Sequence, residues 1–219
     1  MPSIAEFMDF VLHVNVHLGQ VLAVHGAGWL YGLLFLVVFC ETGLVVTPFL
    51  PGDSLLFAAG ALAAASQGAV QLPMIFLVVW LAPLCGDQVN YWVGRLLGAK
   101  IPFRPTNRFL KSAYLDQTRA FYARWGGSTV IAARFVPIVR TFAPFVAGLG
   151  RMSYLRYVAF SLIGTTLWAG LCVGAGAFLG NIPWVQKNFS VVALAIVAIS
   201  VAPMAIAALR SRSGSAISA

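Results

Sequence analysis

From Trp29 to Ala65 runs a long apolar stretch interrupted by Thr47-Pro48-Phe49-Leu50-Pro51-Gly52-Asp53, a cluster that no continuous helix accommodates. Both prolines lack an amide donor, and Pro-Gly-Asp is turn chemistry. The leg beyond the break, Ser54 to Ala65, has 12 residues. At ~1.5 Å per residue it reaches roughly 18 Å, against a hydrocarbon core of about 30 Å. A leg that cannot cross predicts a re-entrant hairpin at about 29–65. Irregular backbone at membrane depth survives only where it faces protein or a water-filled cavity, so the turn also predicts a polar cavity.

Composition agrees with a membrane setting. Hydrophobic residues make up 60% of the chain and charged residues 9%, against roughly 25% charged in soluble domains. The fold class expected is an all-α polytopic membrane protein. Fourteen Lys and Arg against six Asp and Glu give a formal net charge of +8, the bias of cytoplasmic loops. Without a soluble basic domain, a nucleic-acid partner is not expected. Cys40, Cys85 and Cys172 stand in three separate apolar segments without a CxxC pair, which argues against a disulfide framework and a zinc site. No basic residue precedes Arg95, so no cleaved signal peptide is expected.

Read for spans, residues 1–26 form an amphipathic interfacial helix, because Glu6, Asp9, His13, His17 and Gln20 recur on one helical face. His13 and His17 have a metal-compatible spacing but no third ligand near in sequence, so neither metal nor cofactor is expected. Pro73 to Gly94 is long enough to span, with a polar second half holding Asp87, Gln88 and Asn90. Residues 95–124 carry seven Lys or Arg against Asp116 alone, which places that loop in the cytoplasm. Ser128 to Gly150 is apolar yet contains Arg134, Pro137, Arg140 and Pro144, and is flanked beyond by Arg151 and Arg156. With cations at both ends it reads as a second re-entrant hairpin, at about 128–150, facing the first. Phe57-Ala58-Ala59-Gly60 and Phe145-Val146-Ala147-Gly148 close the two Pro-broken segments alike, and paired broken segments point to a transporter site. Tyr157 to Leu179 and Phe189 to Leu209 complete at least three full transmembrane helices, the last within a C-terminal unit at 183–210. A disordered tail is expected at 211–219, with the C-terminus in the cytoplasm.

Opposed hairpins would bring Glu41 and Asp53 towards Arg134 and Arg140. Structural ion pairs are the plain reading, but a hydrophobic replacement is often as stable as a buried pair. Ionisable residues at membrane depth are functional by default. Two guanidiniums in a low-dielectric cavity suit an oxyanion, since their planar donors match phosphate oxygens bidentately. Arg134 and Arg140 are therefore the expected phosphate-binding residues. A carboxylate poised between burial and a nearby arginine can exchange a proton, which assigns Glu41 and Asp53 to proton coupling. Asp87, Asn90 and Tyr91 share a helical face with Gly94, and serve either as a polar helix contact or in gating.

The runs Glu41 to Phe57, Gly86-Asp-Gln-Val-Asn-Tyr91 with Gly94-Arg95, and Arg134-Phe-Val-Pro-Ile-Val-Arg140-Thr-Phe-Ala-Pro144 followed by Ala147-Gly148 resemble the DedA family of bacterial inner-membrane proteins. The resemblance covers about residues 28 to 182, so a DedA/VTT transmembrane domain is expected at 27–182. It implies opposed re-entrant hairpins and a lipid translocase that returns undecaprenyl phosphate or phospholipids across the cytoplasmic membrane, driven by protons. It also implies that Glu41, Asp53, Arg134 and Arg140 are the working residues. Oligomeric state is left open, a homo-oligomer included.

Two other readings remain open. A proton or cation antiporter would use Glu41 and Asp53 and leave the arginines unexplained. A membrane lipid phosphatase lacks its usual parts, since the histidines all fall within the first 25 residues and no Gly-x-Ser-x-Gly turn is present. The chain is therefore not expected to be an enzyme.

Overall fold

The computed structural model describes residues 14–43, 52–66, 68–100, 127–196 and 198. Its helices are α1 (Val14–Gly43), α2 (Gly52–Ala65), α3 (Leu72–Lys100), α4 (Ser128–Ala133), α5 (Pro137–Leu149), α6 (Tyr154–Leu179) and α7 (Pro183–Lys187). A further helical stretch occupies 189–196, and no strand occurs among the described residues. The all-α membrane architecture holds: Val16–Gly43, Leu72–Leu97 and Tyr154–Leu179 are each long and apolar enough to cross a bilayer.

Two of these match the expected spans at Pro73 to Gly94 and Tyr157 to Leu179, but the third does not. Helix α1 joins part of the expected interfacial helix to the expected first leg of a hairpin. The joint is Gly26, whose φ of 80° and ψ of 176° kink the helix without ending it, a conformation glycine adopts without steric cost. Before the kink, Val14 and Leu18 are buried in the main core while Gln20 faces outward. Glu6, Asp9 and His13, on which the interfacial reading chiefly rested, lie outside the described residues, as do the turn at 44–51, the basic loop at 101–126 and the tail. The expected span at 189–209 is described only as far as residue 198, and Pro183 starts a separate five-residue helix.

Helix α2, at 14 residues, spans about 21 Å at 1.5 Å per residue, too short for the bilayer. The second broken segment divides into α4 and α5 between Arg134, which caps α4, and Val136, whose φ of −120° and ψ of 109° are extended. Pro137 then opens α5 in the first turn, where its missing N–H costs nothing. Pro144 and Pro83 sit inside α5 and α3 without ending either helix.

The main core packs α1, α2, α3 and α6 through residues such as Leu34, Leu56, Val79 and Val173. A smaller one joins Tyr91, Val130, Ala147, Met152 and Tyr157. Helix α2 lies along α6, and α5 along α3, at glycine contacts. A Cβ on Gly60 would meet the Val173 carbonyl, and one on Gly176 the Phe57 carbonyl. Likewise a Cβ on Gly148 would meet the Tyr91 carbonyl, and one on Gly94 the Phe145 carbonyl. Small residues that let backbones touch are the usual means of helix association in lipid. The apolar outer faces remain exposed, Leu155, Leu171 and Phe178 among them, as a hydrocarbon solvent requires.

Candidate functional site

The charged residues of the broken segments converge. Glu41 lies in the last turn of α1, the negative end of the helix dipole, where a carboxylate needs a cation. Asp53 lies in the first turn of α2, the favourable end. Arg140, in the first turn of α5, answers both: Nη2 donates to Glu41 Oε1 and Nη1 donates to Asp53 Oδ1 at 2.6 Å. Gly52 leaves room for this meeting, since a Cβ there would strike the Glu41 carboxylate. The indole Nε1 of Trp168 donates to the same Asp53 oxygen at 3.0 Å, and the Arg140 guanidinium stands 4.9 Å from the Trp168 ring centroid.

Arg134 has different partners. Instead of Glu41 or Asp53 it meets Asp87 of α3, with Nη2 donating to Asp87 Oδ2 and to the hydroxyls of Ser161 and Thr165 on α6. Ser161 also donates to Asp87 Oδ2, at 2.8 Å. Asp87, read from the sequence as a polar contact or gate, thus belongs to the charged cluster. The extended break at Val136 sends the two guanidiniums to different counterions. The side chains of Glu41, Asp87, Arg134 and Arg140 are 2–5% exposed and that of Asp53 14%, so water screens none of these pairs well.

Asn90 and Tyr91 are structural ties in the geometry. Asn90 Nδ2 donates to the carbonyl of Thr42, in the last turn of α1, and to that of Thr141 in α5 at 3.3 Å. It thereby satisfies a carbonyl of a kind that helix ends leave orphaned. Tyr91 stacks on Tyr157 with centroids 4.5 Å apart and donates to the Met152 carbonyl at 2.5 Å. Arg95 donates to that carbonyl too, at 3.2 Å, and to the Tyr91 hydroxyl at 2.7 Å. Together they hold the α5–α6 turn, in which Arg151 adopts a φ of 58°.

Ser161, Thr165 and Trp168 were not singled out from the sequence. With Tyr157 they recur at steps of four, four and three, a buried polar stripe along α6. That spacing was the available signal.

A small cavity lies between the two arginines, lined by Asp87, Val130, Arg134, Arg140, Ala143 and Pro144. Its free space suits about one water molecule. Arg140 Nε and Glu41 Oε2 are buried and have no hydrogen-bond partner among the described residues, a costly condition for a polar group. No group of three or more His, Cys, Asp or Glu able to hold a metal ion occurs among the described residues. Chemically the cluster offers cationic donors, hydroxyl donors and carboxylates.

Comparison with known proteins identifies the family. Residues 50–178 match the model of the VTT domain. The chain is 48% identical to "Protein DedA" of Escherichia coli K12 over 99% of its own length and 98% of that protein. It is 40% identical to "Uncharacterized membrane protein Rv0364" of Mycobacterium tuberculosis H37Rv, over 85% of this chain and 82% of that one. It is 34% identical to "Inner membrane protein YqjA" of E. coli K12, over 71% and 70%. No solved structure matches. A domain match across more than half of the chain, and a near full-length relative at this identity, mean that the chain belongs to the DedA family of VTT-domain membrane proteins.

Proposed function

We propose that this protein is a flippase of the cytoplasmic membrane that moves a phosphate-bearing lipid, undecaprenyl phosphate first among the candidates, in exchange for proton movement and without making or breaking a bond in it. The observation that carries this reading is the pair of buried guanidiniums flanking one cavity, each tethered by carboxylates from the other half of the molecule. Guanidinium is the group best matched to a phosphate monoester, and the unpaired Nε of Arg140 is a donor in need of an acceptor.

Three carboxylates face two arginines, so an arriving phosphate adds negative charge to a cluster that already has an excess. Proton uptake by Glu41 or Asp53 relieves that excess and frees Arg140 for the ligand. The cavity is too small for a phosphate group, so entry requires the two broken segments to part. That is the alternating movement expected of opposed re-entrant hairpins, whose tips then face opposite leaflets, with the C-terminus on the cytoplasmic side.

The test is head-group translocation of undecaprenyl phosphate by purified protein in liposomes, with and without a pH gradient. The wild type is expected to respond to the gradient, Glu41→Gln to lose that response, and Arg134→Ala to lose translocation. Activity indifferent to both substitutions overturns the reading. Release of inorganic phosphate would make the protein a lipid phosphatase, and proton or cation flux without any lipid would make it an antiporter.

A further inference from the structure

Asp87 occupies an unusual position for a structural counterion. Its Oδ2 receives a guanidinium N–H of Arg134 and the Ser161 hydroxyl together, beside a Thr165 hydroxyl that also meets Arg134. The two donors to that oxygen, a guanidinium N–H and the Ser161 hydroxyl, form a general phosphate-oxygen cradle, in which Thr165 holds the guanidinium, accepting from Arg134 and donating to the Ser161 carbonyl. Asp87 itself lines the cavity that both arginines share, and Ser161 and Thr165 are fully buried. The acids of the first hairpin, Glu41 and Asp53, both grip Arg140 instead.

We propose that Asp87 is a built-in stand-in for the substrate phosphate: it fills the cradle of Arg134, Ser161 and Thr165 while the site is empty, and the lipid phosphate takes its place. This rests on the phosphate-lipid reading above and adds a residue and a binding order to it. Arg134 is the arginine that first receives phosphate, because its carboxylate competitor is single and its other partners are neutral hydroxyls. Arg140, held by two carboxylates, is released only afterwards. The displaced Asp87 is left near Arg140, with the Tyr157 hydroxyl donating to its backbone carbonyl at 3.2 Å. Ser161 and Thr165 are positioning residues that serve whichever anion is present.

A competing internal anion makes a prediction opposite in sign to that of a structural ion pair. Binding of a short-chain prenyl monophosphate to detergent-solubilised full-length protein is measured by calorimetry, with the matching prenyl alcohol as control. Asp87→Asn is expected to bind the phosphate about tenfold more tightly than wild type while turning over the lipid more slowly, and Arg134→Ala to bind it at least tenfold more weakly. Should Asp87→Asn or Asp87→Ala purify in a destabilised form, the thermal midpoint is read with and without the prenyl phosphate. The ligand is expected to stabilise the variant by a larger shift than it stabilises wild type. Weaker binding by Asp87→Asn, or a variant that the phosphate stabilises no more than it does wild type, overturns the proposal. If wild type binds phosphate and alcohol alike, the phosphate-lipid reading itself fails, which is a distinct result.

Discussion

Helices α2 and α5 are packed by the same device and carry opposite chemistry. Each presents a Phe-x-x-Gly pair to a long helix that answers with a glycine of its own: Phe57 and Gly60 against Val173 and Gly176, Phe145 and Gly148 against Tyr91 and Gly94. At the head of α2 stands an acid, Asp53, joined by Glu41 from the end of α1, whereas α5 carries Arg140 in its first turn, with Arg134 before the break. The packing therefore repeats between the halves and the charge does not. Close approach of backbones fixes where the two legs lie, and the charge difference draws their heads together across the molecule's middle.

That comparison can be broken most severely at the charges. Arg140→Ala takes the guanidinium from Glu41 and Asp53 together, and breaking a buried pair costs ~3–5 kcal/mol. Arg134→Ala strands only Asp87, which keeps the Ser161 hydrogen bond. The thermal midpoint is expected to fall further for Arg140→Ala than for Arg134→Ala, with translocation lost in both. Equal losses of stability would mean that the second carboxylate on Arg140 does not set it apart from Arg134.

The packing side is tested by matched glycine substitutions. Gly60→Ala and Gly148→Ala each drive a methyl group into a carbonyl of the neighbouring helix, and overpacking of this kind costs about 1–3 kcal/mol. Similar losses at the two positions are expected in a thermal melt, with larger ones than at Gly174, where a Cβ meets nothing within 4 Å. A large cost at one glycine alone would dissolve the likeness between the halves. The smallest effect is expected from Trp168→Phe, which keeps a ring beneath Arg140 while removing the indole donor to Asp53. A hydrogen bond to a charged group is worth roughly 1.5–3 kcal/mol, and because Asp53 retains Arg140 the loss should sit at the bottom of that range.

Much of this was legible in the sequence because prolines, glycines and charges are conspicuous in an apolar chain. The break at Pro137, the short leg after Gly52 and the Phe-x-x-Gly echo are local patterns, and each corresponds to an observed element. Which arginine meets which acid was not legible. Arg134 and Asp87 are 47 residues apart in sequence, and Arg140 and Glu41 are 99 apart. Their pairing depends on how the second broken segment meets α1 and α3, which no local pattern encodes. Asp87 reads from the sequence as a polar helix contact or a gate, because it lies in the polar half of its span. The polar stripe Tyr157, Ser161, Thr165 went unnoticed because hydroxyls in a helix commonly satisfy the backbone, as the bond from Thr165 to the Ser161 carbonyl at 2.7 Å does. The sequence reading ends an N-terminal interfacial helix at residue 26. Gly26 bends the chain there, yet α1 continues beyond it as a helix of span length.

The central claim is that buried guanidiniums select a phosphate on a lipid. Its most direct test is a side-by-side measurement in the same proteoliposomes of transbilayer movement of undecaprenyl phosphate and of undecaprenol, which differ only in the phosphate. The account predicts accelerated movement of the phosphate alone, abolished by Arg134→Ala. Equal acceleration of both lipids, or movement of the phosphate that persists in Arg134→Ala, would contradict it.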